Sequence, residues 1–87
     1  MKLFKAIDVW GKQDDGTAVR YRCFQILPDG GYCVQSADYY PPADTGLEKL
    51  EKQFVELFIE QEPDDRSGVF LTLEKAIMDF DRKFGNA

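Results

Sequence analysis

The sequence predicts an α+β domain: a three-stranded antiparallel β-meander, extended by a short fourth strand or ending in an open segment, with two α-helices packed on one face. Three observations carry that reading. Residues 2–12 and 18–27 are rich in β-branched and aromatic residues, which return at 32–40, glycine-bearing turns separate those runs, and beyond residue 45 apolar side chains recur at helical spacing. At 87 residues and 44% hydrophobic, residues 1–87 read as a single small domain that buries a core without disulfide or metal staples.

The first hairpin is marked by Asp14-Asp15-Gly16-Thr17, whose Asp-Gly pair suits a type I′ turn needing positive φ at both central positions. Pro28-Asp29-Gly30-Gly31 makes the second turn, and Pro41-Pro42 ends pairing because neither residue donates to a ladder. A helix over about 45–62 follows, with Thr45 and Glu48 in capping-box spacing. Leu47, Leu50, Phe54, Leu57 and Phe58 share one of its faces, and Val55 and Ile59 widen the stripe enough to touch both the sheet and another helix. After the break at Pro63 comes a turn, and Val69-Phe70-Leu71 is an extended segment or a fourth strand. Thr72 then caps a last helix carrying Leu73, Ala76, Ile77, Phe80 and Phe84 on one side, with Arg82 and Lys83 in its last turn and Gly85 beyond.

Two-residue and four-residue loops at the turns set a register in which Trp10 faces Tyr21, Asp8 faces Cys23, and Cys23 faces Ser36. One sheet face then holds Leu3, Ile7, Val9, Phe24, Ile26, Cys33 and Ala37, the natural floor for the helices. The other holds Phe4, Trp10, Tyr21, Tyr32, Val34 and Tyr40 among Asp8, Gln25, Ser36 and Asp38, a half-exposed mixture of aromatic and polar groups suited to association.

Charge divides the chain. Residues 1–42 balance five acids (Asp8, Asp14, Asp15, Asp29, Asp38) against five bases (Lys2, Lys5, Lys12, Arg20, Arg22), so the net charge of -5 arises entirely in residues 43–87. Scattered bases do not make the clustered positive surface that nucleic acid or an anionic membrane demands, so no direct nucleic-acid or membrane partner is expected. The amino end places Lys5 and Asp8 where a signal peptide needs an unbroken apolar run, which reads as cytoplasmic.

Catalytic signals are weak. There is no histidine, which removes the commonest general base and metal ligand. No glycine-rich phosphate loop opens a helix, and Asp8 and Asp38 share a face only across the central strand, roughly 10 Å apart. Asp14-Asp15-Gly16 and Glu62-Pro63-Asp64-Asp65 lack the spacing of a dedicated calcium loop. No enzyme, metal or cofactor is therefore expected.

The remaining signal is the run of carboxylates Glu56, Glu60, Glu62, Asp64 and Asp65, with no base until Arg66, at what reads as a helix C-terminus. Acids there oppose the helix dipole, so their placement points to a job elsewhere or to surface chemistry that is merely tolerated. The expected function is a non-catalytic, acidic binding or inhibitory protein, of the immunity or antitoxin kind, engaging a basic protein surface through those acids with Trp10, Tyr21 and Tyr32. The rivals are a homodimer joined through the aromatic face, and a small-ligand domain of weak enzymatic potential using Tyr21, Tyr32, Asp8 and Asp38.

Cys23 and Cys33 fall on opposite faces in this register, outside the roughly 5.5–6 Å Cα separation of a disulfide. Cys33 reads as a small core residue, and a reactive Cys23 would depend on Arg20 or Arg22 for activation. Titrating freshly purified protein, unfolded without reductant, is expected to find two free thiols. A disulfide would sink both the cytoplasmic placement and the opposite-face assignment.

Overall fold

One extra residue in the first turn decides the sheet. In the computed structural model of the chain, which describes residues 1–42 and 47–84, the Gly16 amide donates to the Gln13 carbonyl at 3.0 Å and the Gln13 amide to the Thr17 carbonyl at 2.8 Å. Gly16 adopts φ +91°, closing a three-residue loop, Asp14-Asp15-Gly16, in place of the two-residue type I′ turn expected. The Thr17 amide donates to Asp15 Oδ1 at 2.9 Å, which fastens the loop and lowers the Asp15 pKa.

Strands β1 (Phe4–Lys12) and β2 (Ala18–Ile26) consequently pair with Trp10 opposite Arg20, Asp8 opposite Arg22 and Ala6 opposite Phe24. This register lies one residue from the predicted one, and a one-residue slip exchanges the two faces of a strand. A second irregularity lies in β3 (Tyr32–Tyr40): Arg22 pairs with Ser36 but Cys23 with Val34, leaving Gln35 as a bulge. Phe4, Asp8, Trp10, Arg20, Arg22, Phe24, Cys33, Ser36, Asp38 and Tyr40 therefore share one face. Ile7, Val9, Val19, Tyr21, Cys23, Tyr32, Val34 and Ala37 share the other.

Arg22, Cys23 and Phe24 are consecutive and all buried, so both faces of the central strand must be covered. The first is covered by α1 (Leu47–Glu60): the Phe54 ring stacks on Phe24 at 5.7 Å, and Phe58 lies 5.2 Å from Phe24 and 5.7 Å from Phe4. The second is covered by α3 (Leu73–Phe84), whose Ala76 forms the core with Cys23 and Val34, flanked by Ile7, Leu73, Ile77 and Phe80. The α+β class and the antiparallel meander are as predicted. The helices, expected on one face, lie instead on opposite faces with the sheet between them.

Between these helices Pro63–Ser67 forms a short helix, α2, where a turn is expected. Proline suits a first helical position, since its missing N–H has no partner there. The Ser67 hydroxyl donates to the Val34 carbonyl, holding α2 against β3. The predicted fourth strand reduces to one bridge, in which Tyr32 and Phe70 exchange N–H···O bonds of 2.8 Å. Thr72 caps α3, its Oγ1 accepting from the Lys75 amide at 3.2 Å. The predicted cap at Thr45 and the terminal Gly85 lie outside the described residues.

Phe24 is the aromatic centre of the α1 layer. Phe24→Ala is expected to cost about 3–5 kcal/mol in chemical denaturation, because three neighbouring rings lose their partner at once. Ile26→Ala, at the half-buried strand end, is expected to cost clearly less, and equal losses would refute this layering.

Candidate functional site

Inward residues of α1 fix which residues it presents outward. Leu50, Phe54 and Leu57 are half-buried toward the sheet, so at 3.6 residues per turn Lys52, Val55, Glu56, Ile59 and Glu60 occupy the opposite side. Val55 and Ile59, expected to widen a stripe meeting another helix, are 53% and 78% exposed. With Phe58, also part-exposed, they form adjoining apolar surface beside the exposed carboxylates of Glu56 and Glu60.

The rest of the acidic run has a different setting from the one predicted. Glu60 ends α1, whose last turn has no base. Glu62 occupies the N-cap position of α2, and Asp64 and Asp65 lie in its first turn, where negative charge agrees with the backbone dipoles. Oxygens of Glu62, Asp64 and Asp65 gather within 4.8 Å of one another. Positive charge is supplied by Lys2, whose Nζ lies 3.3 Å from Glu62 and also meets Asp64. The hydrogen bond to Asp64 is the main cause of the raised Lys2 pKa.

The predicted aromatic contributors separate. Trp10 is 57% exposed and lies 5.7 Å from Tyr40 on the α1 side. Tyr21 and Tyr32 are on the α3 side, half-buried beside the core. The Tyr21 hydroxyl donates to Asp81 at 2.9 Å, and burial followed by this carboxylate pushes its pKa up to about 12. Trp10, Tyr21 and Tyr32 thus form no single platform.

Sequence reasoning missed the polar ladder under α1. Arg22 is 2% exposed; its Nε donates to Asp38 at 2.8 Å, a terminal nitrogen donates to Glu51 at 2.7 Å, and its guanidinium lies 4.6 Å from the Phe54 ring centre. Arg20 donates to the same Glu51 oxygen and to Asp8, each at 2.7 Å, and stands 5.2 Å from the Trp10 ring. The available signal was the Arg-x-Arg spacing in β2, which sets both guanidiniums on one face between the carboxylates of its neighbour strands. Asp8 and Asp38 do share a face as expected, but each is engaged by an arginine.

Both cysteines are free and buried, and on opposite faces as predicted. Burial is the main cause that pushes Cys23 up to about 12 and Cys33 up to about 11, and Arg20 and Arg22 project from the face opposite Cys23. No helix among the described residues is long and apolar enough to cross a membrane. No protein-family model, curated protein or solved structure matches the chain.

The apolar and acidic outward face of α1 is held in place by the ladder. Glu51 is its link to α1, and the Arg22 bond holds the Glu51 carboxyl below its ordinary value of 4.5. A depressed folded pKa contributes stability that is complete above the ordinary value and is lost as pH falls through the folded one. Glu51→Gln is expected to lower stability at neutral pH and to make the acid decline shallower. Urea midpoints that run parallel to wild type from about pH 7 to about pH 3 would remove Glu51 from this role.

Proposed function

We propose that this protein is a non-catalytic interaction module that engages a basic protein surface through the outward face of α1 and the acids that follow it. The observation that carries the reading is Ile59, 78% exposed at the middle of that face beside Val55 and Phe58 and bordered by Glu56 and Glu60. Single exposed apolar residues are ordinary. Adjoining ones inside a border of Lys52, Glu56 and Glu60 have the composition of an apolar centre with a polar rim, in which the centre supplies lifetime and the rim supplies encounter rate.

The charge distribution supports the same partner class, because residues 43–87 carry eleven acids against six bases. An inhibitor of a nucleic-acid enzyme, of the immunity or antitoxin kind, suits this surface, since carboxylates can occupy a site built for phosphates. Direct nucleic-acid binding draws no support from Arg20 and Arg22, which are engaged by Asp8, Glu51 and Asp38. A small-ligand site built from Tyr21, Tyr32, Asp8 and Asp38 draws none either, because the tyrosines and the aspartates lie on opposite faces. The cytoplasm, where unpaired cysteines persist, is the compartment that goes with this function.

The test compares wild type, E56Q/E60Q and I59S as immobilised baits for basic proteins of the source lysate, followed by association kinetics with the protein retained. All three are expected to fold, with stabilities within about 0.5 kcal/mol, and removing acids from the end of α1 is neutral or slightly stabilising. E56Q/E60Q is expected to slow association at low salt and to flatten its salt dependence, and I59S to speed dissociation. Retention and kinetics indifferent to both variants would overturn the proposal.

A further inference from the structure

The two edges of the sheet are treated differently. Beside β3, Phe70 pairs with Tyr32 and Ser67 donates to the Val34 carbonyl. Beside β1 no backbone partner lies on the outer side among the described residues, and the strand order β1-β2-β3 leaves that edge open.

Parity identifies the open groups. At one end of β1 the Leu27 amide donates to the Leu3 carbonyl at 3.0 Å, and at the other the Gln13 amide donates to the Thr17 carbonyl at 2.8 Å. The pairing between those ends is unbroken, so Lys5, Ile7, Val9 and Gly11 turn their main-chain groups toward β2. Phe4, Ala6, Asp8, Trp10 and Lys12 therefore turn N–H and C=O outward. The strand is nine residues long and lacks the proline or bulge that commonly blunts an edge. An edge of this kind recognises an extended chain by its backbone.

We infer that the occupant is a second copy of this chain, its own β1 added antiparallel to form a six-stranded sheet. Two copies related by a two-fold axis normal to the sheet pair residues whose numbers sum to an even value, because only then do paired side chains share a face. Centring the axis on Asp8 sets carboxylate against carboxylate. Centring it on Trp10 sets Asp8 of each copy against Lys12 of the other, twice. Of the two-fold registers that pair residues within Phe4–Lys12, this one alone matches opposite charges directly. It joins about six backbone hydrogen bonds. Asp8 already gives one oxygen to Arg20 and has the other for this contact, while Lys12 is exposed and makes no ion pair with any described residue. The contact is small beside the roughly 1,200–2,000 Å² of a stable complex, so the dimer is a weak one. The inference is independent of the basic-partner reading, since it uses none of the α1 outward face.

The test is sedimentation equilibrium of the purified chain up to about 1 mM, with amide exchange measured over the same range. The mass is expected to rise toward twice the 10.0 kDa of one chain. Amides of Asp8, Trp10 and Lys12 are expected to gain protection as it rises, while those of Ile7, Val9 and Gly11 stay protected throughout. K12D is expected to weaken association roughly tenfold or more, because two cross-strand pairs turn from attraction to repulsion. D8K does the same, and an equimolar mixture of K12D and D8K restores association, as every pair in the mixed dimer is again opposite in charge. Should D8K fail to fold without its Arg20 contact, K12D and the exchange pattern decide. A mass that stays at one chain, or a dimer indifferent to K12D with those three amides unprotected, overturns the inference.

Discussion

A guanidinium in the middle of the central strand imposes the strictest condition on this fold. Arg22 is almost wholly removed from water, and the desolvation of such an ion costs several kcal/mol unless partners replace its hydration. Asp38 of the next strand supplies one partner, Glu51 of α1 the second, and the Phe54 ring the flat surface above. All three must be in place together, so the ion pair specifies where α1 lies as much as it stabilises it. Glu51 also holds Arg20, which holds Asp8, and the condition thereby spreads across all three strands.

That arrangement separates the work of the two layers. On the α3 side the sheet meets its helix through a small apolar core of Cys23, Val34 and Ala76, with Tyr21 and Asp81 as a polar strap. On the α1 side the same sheet offers charge, and the apolar attachment narrows to Phe24 between Phe4, Phe54 and Phe58. An apolar layer tolerates small shifts, since area removed from water changes gradually. Charged hydrogen bonds do not, because a displaced partner leaves a buried ion uncompensated. The helix bearing the candidate surface is therefore the one whose position is most sharply specified.

The strands, the closing helix with its Thr72 cap and the α+β class were legible because each rests on local periodicity or local chemistry. The faces were not, and the reason lies in two residues. Asp-Gly suits a loop of two residues and also serves in one of three; the longer loop inverts β2 relative to β1. The bulge at Gln35 inverts the halves of β3 relative to each other. The two inversions cancel for residues 36–40, which is why Asp8 and Asp38 were correctly placed together. They cancel for no part of β2, so Phe24 and Tyr21 exchanged sides. Cys23 and Cys33 kept opposite faces because both lie on the same side of the two irregularities. The acidic run was legible as composition, but its setting depended on α2, a helix too short to announce itself by periodicity.

The same pairings engage nearly half of the chain's bases. Lys2 is held by Glu62 and Asp64, Arg20 and Arg22 by Asp8, Glu51 and Asp38, and Arg82 and Lys83 by Asp79. Five of the eleven bases are thus committed to internal contacts, and their fields are largely cancelled at short range. Glu56, Glu60 and Asp65 form no ion pair with a described residue and project from neighbouring turns. The field of these unpaired carboxylates falls where Ile59 and Val55 also meet solvent. Screening at physiological salt confines that field to about 8 Å. Under the proposed function it therefore guides a partner only over the last stretch of approach, and the apolar centre provides what holds the complex once formed.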